Sequence, residues 1–239
     1  MPDFLPEVRL DVEYFVDKMV EMGAQSIDFM CKSAFGNCLY PSTVGRSNRA
    51  IKGDGDIFGN LCRRAKSRGL EVIAYYDMLL NDEIGCEHPE WLQVDREGQP
   101  LLFESYKMFC MNSPYRGHVF EHLKEIASSF EIDGFNLDLQ YFHPRGCFCQ
   151  WCKEKWLDFY KFQRHSRQEF ILSAMAEAEV VRTGLIWIWN DNTDVDLNAH
   201  ATLLGAEAHP PGYFECVTDA KWMQSSGKPF EFWMPESIS

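Results

Sequence analysis

Six near-continuous apolar runs are separated by helix-patterned segments, and this alternation narrows the possible folds most. The runs are AQSIDFMCKS (24–33), LEVIAYYDM (70–78), IDGFNLDL (132–139), GLIWIWND (184–191), ATLLGAEA (201–208) and KPFEFWMP (228–235). Runs of this kind read as strands buried on both faces, which a parallel sheet requires. Helical spacing fills the intervals at 8–23, ending at Gly23, and at 56–70, ending near Gly69. It recurs at 112–130, where Asn112 or Ser113 is the expected cap and Pro114 the first helical residue. Two more helices are expected over about 150–181 and roughly 213–226.

Strand–helix alternation argues for an α/β fold with helices covering a parallel sheet. Polar residues repeatedly follow the strand ends: Lys32–Ser33, Tyr76–Asp77, Asp138, Asn190–Asp191, Glu207–His209 and Glu236. In a (β/α)8 TIM barrel those ends build the active site. A doubly wound sheet would usually announce itself with a Gly-rich first turn, and neither G-x-G-x-x-G nor a P-loop occurs. Six strands do not close an eight-stranded barrel. The first and last strands are therefore expected to be missing or unrecognised, and residues 1–239 to be a single barrel catalytic domain from a longer chain.

Lys plus Arg total 23 against 36 for Asp plus Glu, a net charge of −13. That balance argues against nucleic acid as a partner, since phosphate backbones require a dense positive field. No apolar run approaches the ~20 residues that span a bilayer, and MPDFLPEVRLDVEYF lacks the pattern of a signal peptide. No membrane association is expected. Nine cysteines, most of them single, point to a reducing compartment rather than a disulfide framework, so the expected location is cytoplasmic. Oligomeric state stays open, a homo-oligomer included.

Cys147, Cys149 and Cys152 form C-x-C-x-x-C on what reads as a tight turn entering a helix. Three soft thiolates suit tetrahedral zinc, and a structural site needs a fourth ligand. Cys110, in YKMFCMNSPYR, is the candidate. Reduced thiols on a cysteine-rich loop are the alternative. With all four thiolates on the metal, the zinc would be structural, because a catalytic zinc keeps an open position. No organic cofactor is expected.

Asp138 and Glu207 each end a strand, where a carboxylate either faces a substrate or caps a helix. Glu236 ends the last run. Two carboxylates across a sugar ring can cleave a glycosidic bond, one attacking the anomeric carbon and the other protonating the leaving oxygen. Tyr76, Asp77, Tyr141, Asn190 and His209 are the candidate substrate-binding residues. Trp187 and Trp189 alternate along one strand and read as core.

The motifs YPSTVGR, LEVIAYYD, HPEWLQVDREG, CMNSPYRGHVFEHLKEIA, DGFNLDL, GCFCQWC, EAHPPGYF and GKPFEF follow one another through most of the chain. In this order they resemble the barrel domain of the hypothetical glycosyl hydrolase 6 family, which is similar to α-L-fucosidases of families 29 and 151. The resemblance implies a retaining glycoside hydrolase acting on an oligosaccharide or glycoside, with Asp138 as nucleophile; among the strand-end carboxylates Glu207 is our choice for acid/base. A second resemblance is to family 42 β-galactosidases, in which a cysteine before N-S-P-Y and a later C-x-C-x-x-C form a zinc site. It implies Cys110, Cys147, Cys149 and Cys152 as metal ligands, an acid/base at the Asp138 position and a nucleophile near Glu236. Asn136-Leu137-Asp138 departs from the Asn-Glu of that family, which favours the fucosidase-like assignment. A non-catalytic, carbohydrate-binding or vestigial barrel and a zinc-stapled interaction module are the remaining alternatives.

Overall fold

The computed structural model describes residues 8–153, 158–190, 194–207 and 213–233. All six expected strands form: β1 (Ser26–Met30), β2 (Glu71–Asp77), β3 (Gly134–Asp138), β4 (Ile186–Trp189), β5 (Leu204–Glu207) and β6 (Phe230–Trp233). The first four hydrogen-bond in chain order as a parallel sheet, and β5 pairs parallel with β6. Thr202 joins the two sets, its N–H donating to the Trp187 carbonyl (2.8 Å) and its Oγ1 accepting from the Trp187 N–H (2.9 Å). Helices α1 (Val12–Glu21), α2 (Ile57–Ser67), α3 (Tyr115–Ser129), α4 (Phe159–Val181) and α5 (Tyr213–Ser225) alternate with them. This is an incomplete (β/α) barrel, with six barrel strands among the described residues.

Local chemistry explains the boundaries. Asp11 and Asp56 cap α1 and α2 by accepting the N–H groups of Tyr14 and Gly59. Gly23 and Gly69 follow those helices at φ 82° and 76°, a conformation that favours glycine. Pro114 is the cap of α3 and not its first residue, so the helix begins at Tyr115, one position later than expected. Ser113 still accepts the Tyr115 N–H (3.3 Å), while its hydroxyl donates to the Cys110 carbonyl (2.7 Å). Residues 150–153 form a turn, and the described helix begins at Phe159 rather than near Gln150. The cysteine-bearing turn has its own geometry, with the Cys152 and Lys153 N–H groups both donating to the Cys149 carbonyl.

Period-two alternation sends Val72, Ala74, Tyr76, Phe135, Leu137, Trp187 and Trp189 into the core beneath the helices. Phe135 stacks on Trp187 with centroids 5.4 Å apart. At Gly134 an added Cβ would lie 2.2 Å from the Ile186 carbonyl oxygen, so β3 and β4 approach too closely there for any side chain. At the N-terminal end of the strands, Lys66 binds Asp133 (2.5 Å), whose carboxylate also accepts the Val72 N–H. That end is fastened by ion pairs and hydrogen bonds, which leaves the opposite end for chemistry.

Candidate active site

Residues that alternate with the core positions face the concave side of the sheet. Asp28, Tyr75, Asp77, Asn136 and Asp138 share this face through the β1–β2–β3 register, in which Asp77 lies opposite Asp138 and Tyr75 opposite Asn136. Asp138 is held at both oxygens. Oδ2 accepts the Tyr75 hydroxyl at 2.5 Å, and Oδ1 accepts the Leu139 N–H at 2.7 Å. Leu139 adopts φ 54°, a left-handed conformation that is costly for a leucine. This bend turns the chain back so that its own N–H meets the preceding carboxylate.

The Tyr75 hydroxyl also lies 3.2 Å from Asp77 Oδ1. Burial is the largest cause raising the Asp138 carboxyl above its usual range. The Tyr75 and Leu139 hydrogen bonds oppose it, and the charges of Asp77 and Glu207 add to it. Asp77 is raised by burial as well, offset by Lys32 and the Tyr75 hydroxyl. Lys32 is fully buried; its ammonium donates to the Leu80 carbonyl (2.8 Å) and sits 4.9 Å over the Tyr76 ring. Burial pushes Tyr75 far above the ordinary phenol, so it stays a proton donor. Deeper in the concavity, Asp28 accepts the Asn136 amide at 2.6 Å. Solvent reaches Asp28, yet the surrounding protein withdraws enough water to push its carboxyl up to about 7, with Glu231 and Asp138 contributing.

Glu207 ends β5 on the same face, and the Asn190 amide lies 3.4 Å from its Oε2. Gln140 donates to the Asn190 carbonyl (2.7 Å), tying the loop after Asp138 to the end of β4. Thus Asp77, Asp138, Asn190 and Glu207 converge. Tyr76 does not, which corrects the sequence-based expectation: it is fully buried on the helix side, its hydroxyl 3.0 Å from His122 Nδ1. Tyr141 stands on the rim, edge-on to Phe103 with centroids 6.4 Å apart. His209 and Glu236 lie outside the described residues. Sequence reading missed Tyr75 and Gln93. Strand alternation would have revealed Tyr75, because it shares a face with Asp77 whereas Tyr76 cannot.

The sulfurs of Cys110, Cys147, Cys149 and Cys152 all lie within 4.8 Å of one another, and all four residues are buried. Tetrahedral zinc with bonds of about 2.3 Å would set its sulfurs about 3.8 Å apart, so these residues fit the ion. The Asn112 N–H donates to the Cys110 sulfur (3.4 Å) and its amide to Cys152 (3.5 Å). Hydrogen bonds within the cluster, from Cys110 first, pull the Cys149 thiol far below its ordinary range. The cluster joins the loop leaving β3 to the loop leaving β2. Gln93, fully buried, reinforces that junction: its amide donates to Phe109, and its oxygen accepts the His143 N–H.

Residues 11–139 match the family model described as hypothetical glycosyl hydrolase 6. The chain belongs to the hypothetical glycosyl hydrolase 6 family. The matched span carries Asp77 and Asp138, whereas Cys147, Cys149, Cys152 and Glu207 lie beyond it. Among solved structures, this family member is similar to alpha-L-fucosidase isoenzyme 2 from Paenibacillus thiaminolyticus. The TM-score is 0.85 at 20% identity, covering 98% of this chain and 38% of that one. It is also similar to the PgaB glycoside hydrolase domain from Bordetella bronchiseptica (TM-score 0.70, 11% identity, 93% of this chain and 77% of that one). A beta-galactosidase from Rahnella sp. R3 matches with a TM-score of 0.64 at 16% identity, over 85% of this chain and 37% of that one. These likenesses establish the α/β barrel fold. The chain spans well under half of the fucosidase and of the galactosidase. A comparison with curated proteins found no match. No helix among the described residues is long and apolar enough to cross a membrane.

Proposed function

We propose that this barrel carries the catalytic pocket of a glycoside hydrolase, α-L-fucosidase-like, working by a retaining two-carboxylate mechanism. The observation that carries the reading is Asp138: a strand-end carboxylate on the concave face, held at both oxygens, with Glu207 acting on it electrostatically from two strands along. Asp138 attacks the anomeric carbon as Glu207 gives its proton to the departing glycosidic oxygen. A covalent glycosyl–enzyme ester results. Glu207, now a carboxylate, takes a proton from water as that water attacks the same carbon, releasing the sugar and restoring Asp138. The Tyr75 and Leu139 donors favour the ionised Asp138 that the first step needs.

Asp77 and Asn190 line the pocket as substrate-binding groups. Asp138, ionised for attack, and Asp77 beside it give the pocket a negative character, which favours uncharged sugars over anionic ones. The four cysteines are proposed to hold a structural zinc that pins the loop leaving β3. Four cysteines clustered for a metal and five others fit a reducing, cytoplasmic setting better than a disulfide framework.

The test is hydrolysis of aryl α-L-fucoside and aryl β-D-galactoside by the chain and its Asp138→Asn variant. Fucoside turnover lost in the variant is expected. Turnover of the galactoside alone would reassign Asp138 as acid/base, and sugar binding without turnover would make the barrel a binding module.

A further inference from the structure

A cleft of about 480 Å³ opens on the same C-terminal rim of the barrel, outside the carboxylate pocket. Tyr141 and Phe142, from the loop after β3, form one wall, and Tyr160, Gln163 and Arg164 from the start of α4 form another. Asp194 and Val195, from the segment after β4, complete it. Its size falls within the range of small-ligand sites, about 300–1,000 Å³.

Three features define what it would accept. The first is aromatic surface: Tyr160 lines the cleft and is 81% exposed, so its ring face is open to a ligand. Tyr141 offers a second ring, oriented by its edge contact with Phe103. The second is rigidity. Asp194 caps the helix Val195–Asn198 by accepting the N–H groups of Asp196 and Leu197. It also receives the Arg164 guanidinium (3.2 Å) and the Gln168 amide (3.0 Å). The third is charge. Arg164 is offset by both Asp194 and Asp196, so it does not present a bare cation. Flat rings beside planar polar groups match a sugar: its C–H faces stack and its hydroxyls hydrogen-bond. Arg167, buried, lines the same cleft and adds a second guanidinium that can donate to hydroxyl oxygens.

Position supplies the rest. Tyr141 lies three residues beyond Asp138, and the Gln140–Asn190 hydrogen bond forms the bridge between pocket and cleft. We infer that this cleft is a leaving-group subsite, binding the saccharide attached to the sugar that is cleaved. The inference rests on the glycosidase reading above and extends it to oligosaccharides as substrates.

A panel of aryl glycosides, fucoside and galactoside first, is paired with oligosaccharides bearing the same terminal sugar, such as 2′-fucosyllactose for the fucoside. The readout is the ratio of kcat/KM for the oligosaccharide to kcat/KM for the aryl glycoside. Tyr160→Ala is expected to lower that ratio about tenfold, and Gln163→Ala to lower it less. Both positions face solvent or lie partly exposed, so thermal melting should match the parent. Turnover of both substrate types with an unchanged ratio in both variants would overturn the subsite and leave the glycosidase reading intact. No turnover across the whole panel would overturn that reading, and the subsite with it.

Discussion

Tyr75 and Tyr76 are adjacent and chemically identical, yet they belong to different parts of the molecule. Tyr75 points into the concavity, where its hydroxyl meets Asp138 and Asp77. Tyr76 points under the helices, where its hydroxyl meets His122. On that side the polar groups satisfy one another: Tyr40 bonds His122 Nε2 (2.8 Å) and Glu125 (3.0 Å), and Glu125 also gathers Ser42 and Thr43. The concave face instead gathers like-charged carboxylates and raises the cost of ionising them. One face spends its polar groups on stability, and the other keeps them for reaction. A strand's period of two is the cause.

The comparison breaks most sharply at Asp138. Asp138→Asn should reduce turnover on the order of 10⁴-fold while the melting temperature stays near that of the parent, measured by aryl glycoside hydrolysis and calorimetry. A melt that collapses with the activity would make Asp138 a structural residue. Next comes the loop junction. Cys110→Ser should abolish stoichiometric zinc in metal analysis and cost on the order of several kcal/mol. A variant as stable as the parent would show that the thiols hold no structural metal.

The two tyrosines sharpen the contrast directly. Tyr75→Phe removes a hydrogen bond to a charged group, worth about 1.5–3 kcal/mol. It should lower kcat/KM about tenfold or more and move the acid limb of the pH profile upward, because the donor that favours ionised Asp138 is gone. Tyr76→Phe should leave that limb in place and cost about 1 kcal/mol of stability. Equal effects on activity would mean that the faces are not separate.

The buried side of the comparison is tested by pH. Burial pushes His122 down to about 3 and His118 to about 4, from 6.5. The unfolded chain takes up these protons near 6.5 and the folded chain does not. Stability is therefore full above about pH 6.5 and falls as pH drops toward 4, by up to about 1.4 kcal/mol per pH unit for each histidine. Denaturant midpoints across that range, compared with those of His122→Gln, test the slope.

The alternation of apolar runs and helical spacing revealed all six strands and five long helices, because burial on both faces writes hydrophobicity directly into a strand. It did not reveal the short pairs Asn37–Cys38 with Arg46–Ser47 or Leu102–Phe103 with Tyr106–Lys107, which are too brief to carry a period. Naming Tyr76 together with Asp77 put neighbouring residues on one face, which no strand permits.

By itself, the sequence determined the barrel class, the strand ends that carry Asp77, Asp138, Asn190 and Glu207, and the C-x-C-x-x-C turn. These features are local, set by apolar runs and residue spacing. Only the tertiary structure decided that Cys110 reaches the other three thiols across 36 intervening residues to Cys147. It alone decided that Tyr75 holds Asp138 across 63 positions, and that Asn190 meets Glu207. Those meetings depend on strand register and on how loops from different strands converge at the rim, and pairing between distant segments leaves no period in a linear chain.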